Sequence, residues 1–310
     1  MAHPPGRGPG RGARWGPGGR PSGAWRGTWL ATWRDLAGDL AGPACLAPDL
    51  AHDGARGPGA TSYTHCHMCG RVDIHTPPAQ LARILEAQLA SGIDPDGRPS
   101  WNVAPSRAIP AVVGTGAGDR VLDLFRWGLV PAWAKDPKTG YKMINARAET
   151  VRTKPSYRQA LVRRRCLVVV DGFYEWMAPD PARPKSKIPF YFKREDGAPI
   201  TFAGLFETWW NVNRSPEPDP ETFLQTCTIV TTEAGPDMAP VHNRMPVIIE
   251  THNRDLWLDP EVVEAVAVTG LLVPSPAGTL VRHQVDSIVN NPRNDGPHII
   301  VPPDTAGSSP

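Results

Sequence analysis

The sequence predicts an α+β fold built mainly from antiparallel sheet. Short runs rich in Val, Ile and Phe recur between turn-forming residues from about residue 108 onward, and only three segments space their apolar residues as an amphipathic helix does. No internal repeat and no second break in composition divides the chain after residue 67, so residues 68–295 read as one domain followed by a short tail, 296–310.

In chain order, residues 70–74 form a short strand candidate. Thr76-Pro77-Pro78 then opens a helix whose Leu81, Ile84, Leu85 and Leu89 share one face. Residues 108–113 and 121–127 are extended segments on either side of Gly-Thr-Gly-Ala-Gly-Asp, which predicts a hairpin. A second helix is expected over residues 156–165, basic on its exposed side, leading into the strand Cys166-Leu-Val-Val-Val170. Further strands are expected at 190–193, 200–206, 226–231, 247–249 and 280–285, with Asp196-Gly197 as one of the turns. Pro260 suits the first turn of a helix over 261–268, and Ser-Pro-Glu-Pro-Asp-Pro at 215–220 reads as an exposed loop.

Residues 1–67 differ in kind. They are dominated by Gly, Pro, Ala and Arg with scattered Trp and no apolar period, a composition that cannot bury a face, so disorder is expected there. This segment holds seven Arg and four Asp, leaving 26 basic and 27 acidic residues to the rest. A near-neutral body confines any nucleic-acid surface to a local cluster. Five cysteines at irregular spacing, without a secretory apolar segment, argue against a disulfide framework and for a cytoplasmic setting. No apolar run approaches the roughly 20 residues a spanning helix needs, so no membrane association is expected.

His67-Met-Cys-Gly-Arg-Val72 has the form of a protein start inside a longer reading frame, and residues 1–67 are expected to be an upstream extension of a mis-assigned start, with a segment removed by proteolysis or a regulatory mask as the alternatives. Were Met68 the initiator, its removal would leave Cys69 N-terminal. An N-terminal cysteine carries an amine and a thiol on adjacent carbons, so it can condense with an aldehyde and close a five-membered ring through sulfur. An internal cysteine has no such amine.

Several segments are dense in polar and aromatic groups beside apolar strands: Asn102-Val-Ala-Pro105, Arg126-Trp-Gly-Leu-Val-Pro-Ala-Trp133, Asn145-Ala-Arg-Ala-Glu149, Asp171-Gly-Phe-Tyr-Glu-Trp176 and Val241-His-Asn-Arg-Met-Pro246. With Met68-Cys-Gly-Arg71 they resemble, in order, the motifs of the SOS response-associated peptidase (SRAP) family. The resemblance implies a barrel-like core with a few flanking helices. It also implies a nucleoid-associated, cytoplasmic sensor of abasic sites in single-stranded DNA that forms a thiazolidine crosslink through its N-terminal cysteine. Carried over by motif, the catalytic set is Cys69, Asn145, Glu175 and His242: Asn145 holds the amine or phosphate, Glu175 exchanges protons, and His242 assists sugar opening. The DNA-binding set is Arg71, Asn102, Pro105, Trp133, Arg147, Trp176, Thr231, Arg244 and Pro246, with arginines for phosphates, tryptophans for bases and prolines as wedges. No cofactor and no metal are implied, and a monomer is expected.

Other readings compete. His65-Cys66-His67-Met-Cys69 has a Cys-x-x-Cys pair flanked by histidines, but no second pair to complete a zinc site. The same N-terminal thiol could serve an (auto)peptidase, and β-elimination beside the imine would add lyase activity. A noncatalytic single-stranded nucleic-acid-binding module is the third alternative. Trp127, Cys166 and Cys227 read as core. Asn243 stands where the family also uses an acidic residue, and Trp209 and Trp210 carry no assignment.

Overall fold

The computed structural model describes residues 70–115, 118–179, 187–210 and 223–303. The expectations for residues 1–67, for Cys69, for the loop at 215–220 and for residues 304–310 lie outside them.

The elements are β1 (Val72–Ile74), α1 (Pro78–Ile84), β2 (Gln88–Leu89), β3 (Ser100–Val103), β4 (Ala108–Gly114), β5 (Arg120–Trp127) and β6 (Asn145–Arg147). There follow α2 (Arg158–Arg163), β7 (Arg165–Val170), β8 (Gly172–Met177), β9 (Ile188–Arg194), β10 (Ile200–Trp210) and β11 (Phe223–Glu233). The chain ends with β12 (Arg244–Pro246), α3 (Arg254–Leu258), α4 (Ala265–Thr269) and β13 (Leu280–Gln284).

Strands β11, β10, β7, β4 and β5 pair in that order, each pair antiparallel. β11 then meets β5 in parallel at Thr226–Arg126 and Cys227–Trp127, which closes a five-stranded barrel. The barrel core and the mainly antiparallel sheet agree with expectation, as does the hairpin, which runs in register from Ala108–Arg126 to Gly114–Arg120. β7 is buried along its whole length. Its Cys166, Val168 and Val170 join one apolar cluster with Trp127 and Cys227, while Leu167 and Val169 join a second with Leu81, Leu85 and Trp257. Burial on both faces explains why this strand is a continuous apolar run instead of an alternating one.

A second sheet, β13-β9-β8-β1-β3, lies against the barrel. Val72, Val103, Phe173 and Phe192 pack into the barrel cluster, whereas Tyr174 and Tyr191 face the other way, toward Val285, Val289 and Ile299. Because Ile299 is fully buried, the packed body runs past residue 295, where the tail was expected to begin.

Three elements differ from expectation for local reasons. Leu89 lies in β2 and not on the first helix, which stops at Ile84. Glu86 adopts φ 52°, and the Ala87 amide donates to the Ala82 carbonyl at 2.8 Å and the Glu86 amide to the Arg83 carbonyl at 3.3 Å, a Schellman closure with Glu in the left-handed position that usually holds Gly. Arg165, read as the end of a basic helix, opens β7 instead. Its buried guanidinium donates to the carbonyls of Leu161, Val162, Trp257 and Asp259. After α3 the chain turns at Asp259, whose side chain accepts the Glu261 amide at 2.9 Å, and the helix expected at 261 starts only at Ala265.

Candidate functional site

β11 gathers five of the expected residues. On one edge it pairs first with β10 and then with β12; on the other, first with β5 and then with β6. The registers set Asn145 beside Ile229, Arg147 beside Thr231, Thr231 beside Pro246 and Arg244 beside Glu233. Trp127 is core, as expected, and also a support: its indole donates to the Ile144 carbonyl at 3.0 Å, one residue before Asn145. Arg244 donates to both carboxylate oxygens of Glu149 and, at 2.8 Å, to the Thr231 carbonyl. The Arg244 guanidinium holds the Glu149 carboxyl below its ordinary pKa. Arg147 is exposed at this seam.

Glu175 lies on β8 with Phe173, on the face that packs toward the barrel, and is 2 % exposed. The β1–β8 ladder sets Val72 opposite Phe173, and the Tyr174 amide donates to the Arg71 carbonyl at 3.0 Å. Continuing that antiparallel register leads Gly70 toward Glu175. Trp176 faces the opposite side of the same strand, with the Arg71 guanidinium over its ring at 5.9 Å from the centroid. Asn102, expected at the DNA surface, is 4 % exposed. Its amide nitrogen faces the carbonyls of Val289, Asn291 and Asn294, and its oxygen accepts from Arg71 at 2.6 Å. In this structure Asn102 acts as a brace for Arg71.

His242 sits in the turn before β12, half-buried. Its Nδ1 accepts the Arg244 amide at 3.1 Å, so the neutral ring carries its proton on Nε2, ready to donate. Burial, then the charge of Lys187, lowers its pKa below the ordinary histidine value. Pro105 is half-buried in the β3–β4 turn and Pro246 is buried at the end of β12.

Trp133 is 66 % exposed, on a loop whose anchor the sequence did not reveal. Trp209 is that anchor: its indole donates to the Ala134 carbonyl at 2.7 Å and its ring packs with Val130, Ala134 and Leu224. The loop's start is fixed by a close approach of two glycines, since a Cβ on Gly128, which has φ 126°, would stand 2.5 Å from the Gly140 carbonyl oxygen. The strand expected at 200–206 stopped short of Trp209, and its partner 75 residues away was not visible in the sequence.

Among the described residues one cluster, Asp73, His75 and Asp171, has donor atoms within 4.8 Å of one another, as metal ligands would be. Hydrogen bonds already account for it. His75 Nδ1 lies 2.9 Å from Asp73, Tyr191 donates to Asp73 at 2.7 Å, and Asp171 accepts from the amides of His75 and Thr76 and from the Thr76 hydroxyl. Burial raises the Asp73 pKa, and the bond to Asp73 raises that of His75. Cys166 and Cys227 are free and fully buried, and burial pushes both thiols up, which makes them inert packing.

A five-stranded barrel flanked by a second sheet, with its polar motifs collected along β11 and β8, defines the protein class: the chain belongs to the SOS response associated peptidase (SRAP) family, whose model matches residues 68–292. Among individual relatives it is 43% identical to the "Abasic site processing protein YoqW" of Bacillus subtilis (strain 168) over 235 residues, covering 75% of this chain and 99% of that one. It is 32% identical to the "Abasic site processing protein HMCES" of Gallus gallus, covering 76% and 78%. A solved protein from Bacteroides thetaiotaomicron shares the fold, with TM-score 0.63 at 21% identity over 76% of this chain and all of the other. No helix among the described residues is long and apolar enough to cross a membrane.

Proposed function

We propose that this protein captures abasic sites in single-stranded DNA as a covalent crosslink through Cys69. The observation that carries this reading is the path of β1: the residues following Cys69 enter the second sheet alongside β8, leading back toward Glu175. Relatives named for abasic site processing support the substrate class.

In the proposed reaction the Cys69 amine attacks C1′ of the open-chain sugar, and the carbinolamine loses water to give an imine. The thiolate then adds to the same carbon and the imine nitrogen takes up a proton, which completes a thiazolidine. Glu175 moves the protons at nitrogen and oxygen, Asn145 fixes the amine, and the Nε2–H of His242 donates to the sugar oxygen. Arg147 and Arg244 contact phosphates without reading sequence, while Trp133 and Trp176 stack bases. β-Elimination from the imine would give a minor lyase activity from the same groups.

The test is denaturing electrophoresis and mass spectrometry of the chain mixed with a single-stranded oligonucleotide carrying one abasic site. A species heavier by protein plus DNA less one water is expected when Cys69 is N-terminal. It should be absent for Cys69→Ala and for a chain that retains residues 1–68. Equal crosslinking by the chain with its leader intact would refute the mechanism.

A further inference from the structure

The segment from Ser287 to Asn294 runs along the second sheet beside Arg71 and Trp176, and several of its polar atoms bond those two side chains and Asn102. The Val289 carbonyl accepts from Arg71 Nη1 at 2.8 Å, and three carbonyls of the segment face the Asn102 amide. Val289 is fully buried and anchors the segment in the cluster of Tyr174 and Tyr191. Asn290, the next residue, is exposed, yet its Oδ1 accepts the Trp176 indole N–H at 2.6 Å.

The indole is thereby held at two places. The Arg71 guanidinium stands over one face, and Asn290 fixes the N–H edge in the ring plane, which sets the ring's rotation about its bond to the strand. A half-buried indole held in this way keeps its solvent-exposed part in one orientation, which removes the rotational entropy that a loose ring would lose on stacking. The core has no need of this bond, because an exposed asparagine contributes little packing and the indole N–H could bond to water instead. We infer that Asn290 is a positioning residue for base stacking on Trp176, an assignment that rests on the single-stranded DNA reading above.

The test is a double-mutant cycle read by fluorescence anisotropy with a short, undamaged, labelled single-stranded oligonucleotide. Asn290→Ala should weaken binding about fivefold, the equivalent of one modest hydrogen bond. In a Trp176→Phe background, which has no N–H to orient, the same change should have no further effect. The salt dependence of binding should be the same for Asn290→Ala and wild type, since no phosphate contact is removed. Unchanged affinity in Asn290→Ala, or an equal loss in the Trp176→Phe background, overturns the assignment. No binding by the unaltered chain instead sinks the single-stranded DNA reading itself. Capture of an abasic site, measured separately, tests the chemistry alone.

Discussion

Replacing Trp209 with Phe separates the loop that carries Trp133 from its anchor and gives a magnitude that can be worked out. The indole N–H is buried and bonded to the Ala134 carbonyl at 2.7 Å, so a phenyl ring leaves that carbonyl without its partner. An unsatisfied buried acceptor costs about 1 to 3 kcal/mol. The smaller ring also gives up contacts with Val130 and Leu224, for roughly 1 kcal/mol more. A loss of about 2 to 4 kcal/mol in unfolding free energy is therefore expected by urea titration, with an unchanged slope because the fold itself persists. Single-stranded DNA affinity should fall together with stability, since Trp133 is the most exposed tryptophan of the site and its loop has lost its support. Stability reduced as stated with affinity untouched would refute the link between Trp209 and the DNA surface. An unchanged stability would refute the hydrogen-bond argument as well.

Three further outcomes are expected. Gly172→Ala should destabilise the protein by several kcal/mol in thermal unfolding, because its Cβ would stand 2.3 Å from the Tyr191 hydroxyl and force Tyr191 off its bond to Asp73; a near-wild-type melting temperature would show that the second sheet relaxes freely. For His242, whose pKa lies below the ordinary value of 6.5, the ratio of wild-type to His242→Ala crosslinking rates should stay level down through that pH and fall only below it; a ratio that falls from above pH 7 would contradict the neutral-imidazole role. His75 has a raised pKa through Asp73, so the stability it contributes is fully present below its unfolded value of about 6.5 and is lost as pH rises through the folded one; the gap in melting temperature between wild type and His75→Gln should close with rising pH, and a gap that widens would reverse the sign.

What could be read from the sequence was governed by how local its cause is. The hairpin of β4 and β5 followed from two apolar runs around a glycine-rich turn, and β7 from five consecutive apolar residues. Both depend on neighbours in the chain. The end of α1 was missed because Glu86, and not Gly, takes the left-handed cap position, and Arg165 was read into a helix because the carbonyls that hold its guanidinium at the start of β7 include two more than ninety residues later. Asn145, Glu175 and His242 were proposed for the site as members of ordered motifs, whereas Trp209 and Asn290 carry no motif and stand out only through contacts the fold creates. Asn102 shows the converse. Its motif proposed it for the DNA surface, but it is buried and braces Arg71 and the segment at 289–294.

The length of β11 explains why one strand can both close a barrel and build a site. Its eleven residues are staggered against the equally long β10, which pairs with it only as far as Ile229, and the end of its ladder is left for short strands to complete. β6 and β12, three residues each, fill those places on opposite edges, so Arg147 and Pro246 meet at Thr231 although a hundred residues separate them in sequence. Strands this short bury too little to fix themselves, and side chains supply the missing constraint: Trp127 holds the approach to β6 through Ile144, and Glu149 ties β6 to β12 through Arg244. The barrel thus supplies a rigid edge, and the polar motifs serve a structural purpose before a chemical one. Loss of the Glu149–Arg244 pair should accordingly loosen the seam while leaving barrel stability within about 1 kcal/mol of wild type, as expected for a half-exposed ion pair.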